Sequence, residues 1–141
     1  MMIRLLYASR VTDANHAAMT ETILAQCRAH NPAHGITGIL CTGGDIFMQV
    51  LEGGRTEINS LYNQIVRDPR HTDVVILSYE EITERRFAGW TMGQVNLDKI
   101  NPSVLLKYLP RPALDPYSVP GKASMALLEE LISTAAIIGR S

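Results

Sequence analysis

The chain reads as an α+β domain: a mixed five-stranded sheet with two helices on one face and further helices at the C-terminal end. Three observations predict it. Segments with the period of a strand and segments spaced as helices follow one another in the order β-α-β-β-α-β-β. A glycine-bearing turn, Thr42-Gly43-Gly44-Asp45, joins two strand-like segments directly. Five of the seven prolines (Pro102, Pro110, Pro112, Pro116, Pro120) crowd into one later stretch, so the organisation changes near residue 97.

The first strand is expected over residues 3–8, with Ile3, Leu5 and Tyr7 on one face and Arg4, Leu6 and Ala8 on the other. Thr12, Asp13 and Asn15 then offer helix N-caps. The first helix carries Met19, Ile23, Cys27 and His30 as one stripe and ends before Pro32, since a residue preceding proline is pushed out of the helical region. Asn31 is thereby held at a helix exit. Residues 35–41 form the second strand and residues 46–52 the third, joined by the tight turn. Gly53-Gly54 opens a second helix with the stripe Ile58, Leu61, Tyr62, Ile65, ending at Asp68-Pro69.

Residues 74–79 form a continuously apolar fourth strand, which suggests a central place in the sheet. Residues 90–95 supply a short fifth. This is the split βαβ, ferredoxin-like plan, in which strands one and three lie side by side at the centre. Residues 102–108 read as a short helix. Residues 124–138 carry Met125, Leu128, Leu131, Ile132, Ala135 and Ile138 at helical spacing. That last helix is expected to cover the open sheet face or to meet a second chain.

Composition bounds the function. The 141 residues suit one domain. Hydrophobic residues are 46% and charged residues 19%, enough for a packed core. A net charge of -1 argues against a nucleic-acid binder relying on a basic face. No apolar run reaches the roughly 20 residues that span a bilayer, and the N-terminal apolar stretch is too short for a signal peptide. Cys27 and Cys41 fit no metal or redox motif. These features predict a cytoplasmic protein needing neither metal nor membrane.

The residues that break the pattern carry the chemistry. Strand three sets Phe47, Gln49 and Leu51 against Ile46, Met48 and Val50, so Gln49 sits among apolar neighbours on either face. A buried primary amide needs partners on both oxygen and nitrogen. Tyr7 and Gln49 are expected to point into the same space beneath the two helices, with Asn31 on its rim. Each alone can be satisfied by backbone. Together they suit a flat heteroaromatic ligand with alternating donors and acceptors, held between apolar walls such as Ile23 and Ile65. A flavin ring answers that description.

On these residues the chain resembles the BLUF family, the blue-light sensors using FAD. The resemblance covers about residues 1–97. It rests on Tyr7 in LLYASR, Asn31 before GITGILC, Gln49 in FMQVLEG, the run DPRH at residues 68–71, and Trp90 and Met92 in FAGWTMGQV. It implies non-covalently bound FAD. Gln49 would bond between Tyr7 and the flavin, Tyr7 would donate an electron and a proton, and Asn31 would fix the pyrimidine end. Ile23 and Ile65 would sandwich the ring, with Phe47 among the binding residues. His30, Asp68, Arg70 and His71 would surround the ribityl and phosphate portion. Trp90 and Met92 would be a signalling pair on strand five.

Plainer readings stand beside these. Trp90 also reads as a core aromatic, Met92 as core filler, and Arg70, His71 and His30 as basic groups that helix ends favour. The resemblance implies no enzyme activity. Residues 1–97 would form the flavin cradle, and residues 98–141 an extension for assembly and output. The short chain is expected to act on a separate effector protein and to form a homo-oligomer through its apolar C-terminal helix, ending AAIIGR. The same plan also serves light-independent ligand modules and acylphosphatases. For the latter, Ser9-Arg10 follows strand one, but no glycine-rich phosphate cradle accompanies it.

Overall fold

A computed structural model describes residues 1–11 and 16–134. The cap candidates Thr12, Asp13 and Asn15, and Ala135, Ile138 and the AAIIGR stretch, lie outside the described residues. The elements follow the expected order: β1 (Met2–Val11), α1 (His16–His30), β2 (Thr37–Gly43), β3 (Ile46–Gly54), α2 (Arg55–Arg67), β4 (His71–Ile82), β5 (Gly93–Asn96), α3 (Pro102–Leu106) and α4 (Gly121–Ser133). Short 3-10 turns at Asn31–His34 and Leu97–Lys99 complete the chain. Pro32 ends α1 as expected, and the chain tightens into a 3-10 turn closed by Gly35 at φ 66. A left-handed residue there is cheap only for glycine. Asn31 is the first residue of that turn and is buried.

The sheet order is β4-β1-β3-β2-β5. All neighbours are antiparallel except β2 and β5, which run parallel. β3 is the middle strand and β1 its interior neighbour, and their register sets Tyr7 opposite Gln49.

Two expectations are corrected. β4 is an edge strand, not a central one. Val75, Ile76 and Tyr79 are 42%, 47% and 44% exposed, so the apolar run expresses β-propensity and not burial on both faces. Residues 90–92 are also not strand. Trp90 N–H closes a turn onto the Phe87 carbonyl, the chain bends at Thr91 and Met92, and pairing with β2 begins at Gly93. Trp90 and Met92, two residues apart, consequently lie in different cores.

One core lies under α1 and α2: Ile3, Leu5, Tyr7, Phe47 and Leu51 from the sheet, Met19, Ile23 and Leu24 from α1, Ile58 from α2, and Met92. The other packs the opposite face: Leu6, Ile39, Met48 and Val50 against Trp90, Leu105 of α3, and Met125, Leu128 and Leu131 of α4. α4 approaches β4 so closely that a Cβ on Gly121 would stand 2.5 Å from the Leu77 carbonyl oxygen.

A buried charge cluster ties these parts together. Arg4 Nε donates to Glu52 Oε2 at 2.8 Å, and its Nη1 donates to Glu80 at 2.7 Å. Glu52 is fully buried and also accepts the backbone N–H groups of Phe87 at 2.7 Å and Arg86 at 3.1 Å. Two of these hydrogen bonds pin the β4–β5 connection to Glu52 of β3, and the two from Arg4 tie β1 to β3 and β4. Removing one partner of a buried pair strands the other charge, at about 3–5 kcal/mol. Glu52→Ala is expected to lower unfolding free energy by about that amount in urea titrations. Glu80→Ala, at a half-exposed carboxylate, should cost no more than about 1 kcal/mol. Equal losses would refute this account.

Candidate functional site

α1 and α2 diverge over the central strands and leave a cleft. Each helix offers it the same spacing of side chains. From α1 come Ile23, Gln26, Cys27 and His30, at i, i+3, i+4 and i+7; from α2 and its end come Leu61, Gln64, Ile65 and Asp68. Tyr7 and Gln49 form the floor, while Asn31, Arg70 and His71 complete the walls.

The floor is a short hydrogen-bonded chain. Tyr7 donates its hydroxyl to Gln49 Oε1 at 2.5 Å. Burial pushes the Tyr7 phenol well above its ordinary value, with smaller contributions from Cys27, Tyr62 and Asp68, so it stays a neutral donor. The ring of Tyr62 meets Tyr7 edge-on, with centroids 5.8 Å apart. On its other side Gln49 Nε2 faces sulfur: Met92 Sδ at 3.3 Å and Cys27 Sγ at 3.9 Å. Sulfur is a weak acceptor, so this buried amide is only partly satisfied. Burial pushes the Cys27 thiol up as well, opposed by the neighbouring Gln49 and Asn31 amides. The Asn31 side-chain oxygen and nitrogen are buried with no hydrogen-bond partner of ordinary geometry among the described residues. Buried amides left in this condition are rare and costly.

The open end is polar and charged. Arg70 packs its guanidinium on the Asp68 carboxylate at 2.6–3.0 Å and reaches Gln26 Oε1 at 3.2 Å. The Arg70 bonds hold the Asp68 carboxyl below its usual range. His71 Nδ1 lies 2.8 Å from the buried Ser9 hydroxyl, and burial lowers its pKa, favouring the neutral ring.

Of the residues singled out in the sequence, Tyr7, Ile23, His30, Asn31, Gln49, Ile65, Asp68, Arg70 and His71 meet at the cleft. Phe47 does not line it. It is buried beneath, its ring edge-on to His71 at 5.7 Å. Met92 reaches Gln49, while Trp90 belongs to the core on the far face of the sheet. Gln26, Leu61 and Gln64 were not singled out as cleft residues. Their signal was present, since each shares a helical face with Ile23 or Ile65. Among the described residues no group of His, Cys, Asp or Glu could hold a metal ion, and no helix is long and apolar enough to cross a membrane.

Among the described residues, the arrangement offers a flat guest two apolar walls, a rim amide with no hydrogen-bond partner of ordinary geometry, and a floor amide whose donor faces sulfur. Comparison with known proteins accords with it. The model of the BLUF family, "sensors of blue-light using FAD", matches residues 2–93. The blue light- and temperature-regulated antirepressor BluF of Escherichia coli (strain K12) is 32% identical over 99 residues, 69% of this chain and 25% of that protein. Photoactivated adenylate cyclase subunit beta of Euglena longa is 36% identical over 89 residues, 62% of this chain and 10% of that protein. The chain thus spans a quarter or less of these relatives. Among solved structures, the BLUF protein BlrB in its dark state superposes with a TM-score of 0.80 at 31% identity, covering 95% of this chain and 96% of that one. BlsA in its photo-activated state gives 0.83 at 27% identity, covering 94% and 95%. The family match runs through the strands and helices that build the cleft, and by it this chain belongs to the BLUF family of blue-light sensors.

Proposed function

We propose that the chain is a blue-light receptor that holds FAD non-covalently in the α1–α2 cleft and reads light through the hydrogen bonds of Tyr7 and Gln49. The observation that carries this reading is the pair of under-bonded buried amides, Asn31 and Gln49, facing one apolar slot. A flavin ring fits them. Its pyrimidine edge alternates donors and acceptors as the two Asn31 atoms do. Ile23 and Ile65 would sandwich the ring, while His30, Asp68, Arg70 and His71 would lie around the ribityl and phosphate portion.

When bound, the flavin supplies a strong oxidant on absorbing blue light. The chain's residues supply the rest. Tyr7 is an oxidisable side chain that donates a hydrogen bond to Gln49, so its hydroxyl proton is already aimed at Gln49 Oε1. Loss of an electron makes that phenol far more acidic, so the proton leaves along the existing hydrogen bond. Gln49 returns rotated or tautomerised, with its donor moved to a different side of the amide. Only side-chain torsion or proton position changes, so the cycle is reversible and no substrate turns over.

For output, residues 1–97 act as the cradle and residues 98–141 as the element that assembles and signals to a separate effector protein. Met92 touches Gln49, and Trp90, two residues earlier, shares a core with α4. A shift of this short segment therefore acts on both faces of the sheet. Self-association through the C-terminal part would give a homo-oligomer whose size or partner binding responds to light.

Purified protein should be yellow, and blue light should reversibly red-shift its flavin absorption. Gln49→Leu is expected to bind flavin without the shift, because leucine keeps volume but has no donor. Tyr7→Phe should also lose the normal photocycle in the same difference spectrum. Asn31→Ala removes a charge-free amide pairing worth about 1–3 kcal/mol, so FAD affinity should fall roughly 10- to 100-fold in a fluorescence-quenching titration. A colourless protein that takes up no added FAD would sink the whole reading.

A further inference from the structure

The segment bearing Met92 is held from an unexpected side. Trp90 O accepts from the Gly38 N–H at 3.0 Å, and pairing with β2 resumes only at Gly93. Between these points the chain bends, and the Met92 carbonyl turns out of the sheet ladder toward α1. There Arg28 takes it with two donors, Nε at 3.2 Å and Nη2 at 3.0 Å. Both are charge-assisted bonds to a neutral carbonyl, stronger than the amide bonds of a ladder. Arg28 follows Cys27 directly but stays outside the cleft, which Cys27 lines.

The placement of Met92 matters because its thioether sits 3.3 Å from Gln49 Nε2, against the amide group that must turn. A buried side chain packed on an amide resists its rotation. The thioether can only do so while its own backbone stays fixed. Four groups pin the connection at its far end through Glu52 and Arg85: Arg86 N–H, Phe87 N–H, Thr37 Oγ1 and the Glu52 carbonyl. None of them holds Met92 itself.

We propose that Arg28 is a positioning residue: by clasping the Met92 carbonyl it keeps the thioether against Gln49 and so sets how fast the amide can turn. The clasp also makes α1 and the Met92 segment one mechanical unit. The kinetic part rests on the reading of the cleft as a flavin switch; the clasp itself does not.

Two measurements test it. In the flavin-free chain, amide hydrogen exchange at residues 91–93 should rise at least fivefold in Arg28→Met, while exchange in β1 and β3 stays unchanged. This readout stands whether or not the protein is photoactive. In the FAD-loaded full chain, Arg28→Met should keep the red shift but shorten the lit-state lifetime at least threefold, with Arg28→Lys, which retains one charged donor group, falling between it and the parent. The same Arg28→Met change introduced beside Met92→Leu should alter the lifetime less than 1.5-fold, because the group through which Arg28 acts is gone. Parent-like exchange and lifetime in Arg28→Met would overturn the proposal. So would an undiminished effect in the Met92→Leu background, which would assign Arg28 to some other route.

Discussion

The register of β1 against β3 is the constraint on which the site depends. These are adjacent interior strands, and their pairing sets Tyr7 directly opposite Gln49. Side chains alternate along a strand, so a slip of one residue would send one of the pair to the α4 face and break the 2.5 Å bond between them. The register is in turn enforced by what each face buries. Ile3, Leu5, Phe47 and Leu51 belong under α1 and α2, while Leu6, Met48 and Val50 belong under α3 and α4. The Arg4–Glu52 pair adds an electrostatic lock, since Arg4 is paired across the strands with Glu52 in the same register. Hydrophobic sorting and one buried ion pair thus fix the geometry of a two-residue hydrogen bond.

A sheet with a core on each face gives the chain two compartments and few routes between them. The cleft lies in one compartment and α4 in the other. The connection from β4 to β5 is the place where both are touched by one short peptide. Its anchors differ in kind: a buried carboxylate at Arg86 and Phe87, a backbone bond at Trp90, and an exposed guanidinium at Met92. Arg86 also pairs with Glu129 of α4. The fully buried anchor is thus at the far end of the connection, and the solvent-exposed one holds the residue that touches Gln49.

Much of this was legible in the sequence, for identifiable reasons. Alternation along β1 and β3 put Tyr7 and Gln49 on the helix side, and the plan of elements made those strands neighbours. Pro32 placed Asn31 at the end of α1. The misreadings are equally specific. An unbroken apolar run suggested that β4 is central, yet strand propensity produces such runs at an edge too, where Val75, Ile76 and Tyr79 face outward. Trp90 and Met92 were expected to form a strand-five pair on the two-residue period, which holds only for extended backbone; the bends at residues 91 and 92 separate them. Glu52 gave no sign of its role, because its partners lie 34 to 48 residues away in sequence. Gln26 and Gln64 could have been found, but a polar residue within an apolar stripe reads as solvated until the facing helix is known.

The under-bonded amides also have a thermodynamic consequence. Asn31 and the Gln49 donor carry part of the cost of folding without strong partners of their own. A ligand that satisfies them binds the folded chain and has no counterpart in the unfolded one. By linkage, folding and ligand binding then share one free energy, with a gain of about 2.7 kcal/mol at a ligand concentration a hundred times Kd. The chain's melting temperature becomes a function of cofactor supply. Protein made faster than its cofactor would turn over sooner, so cellular abundance of the receptor would track the amount that can respond.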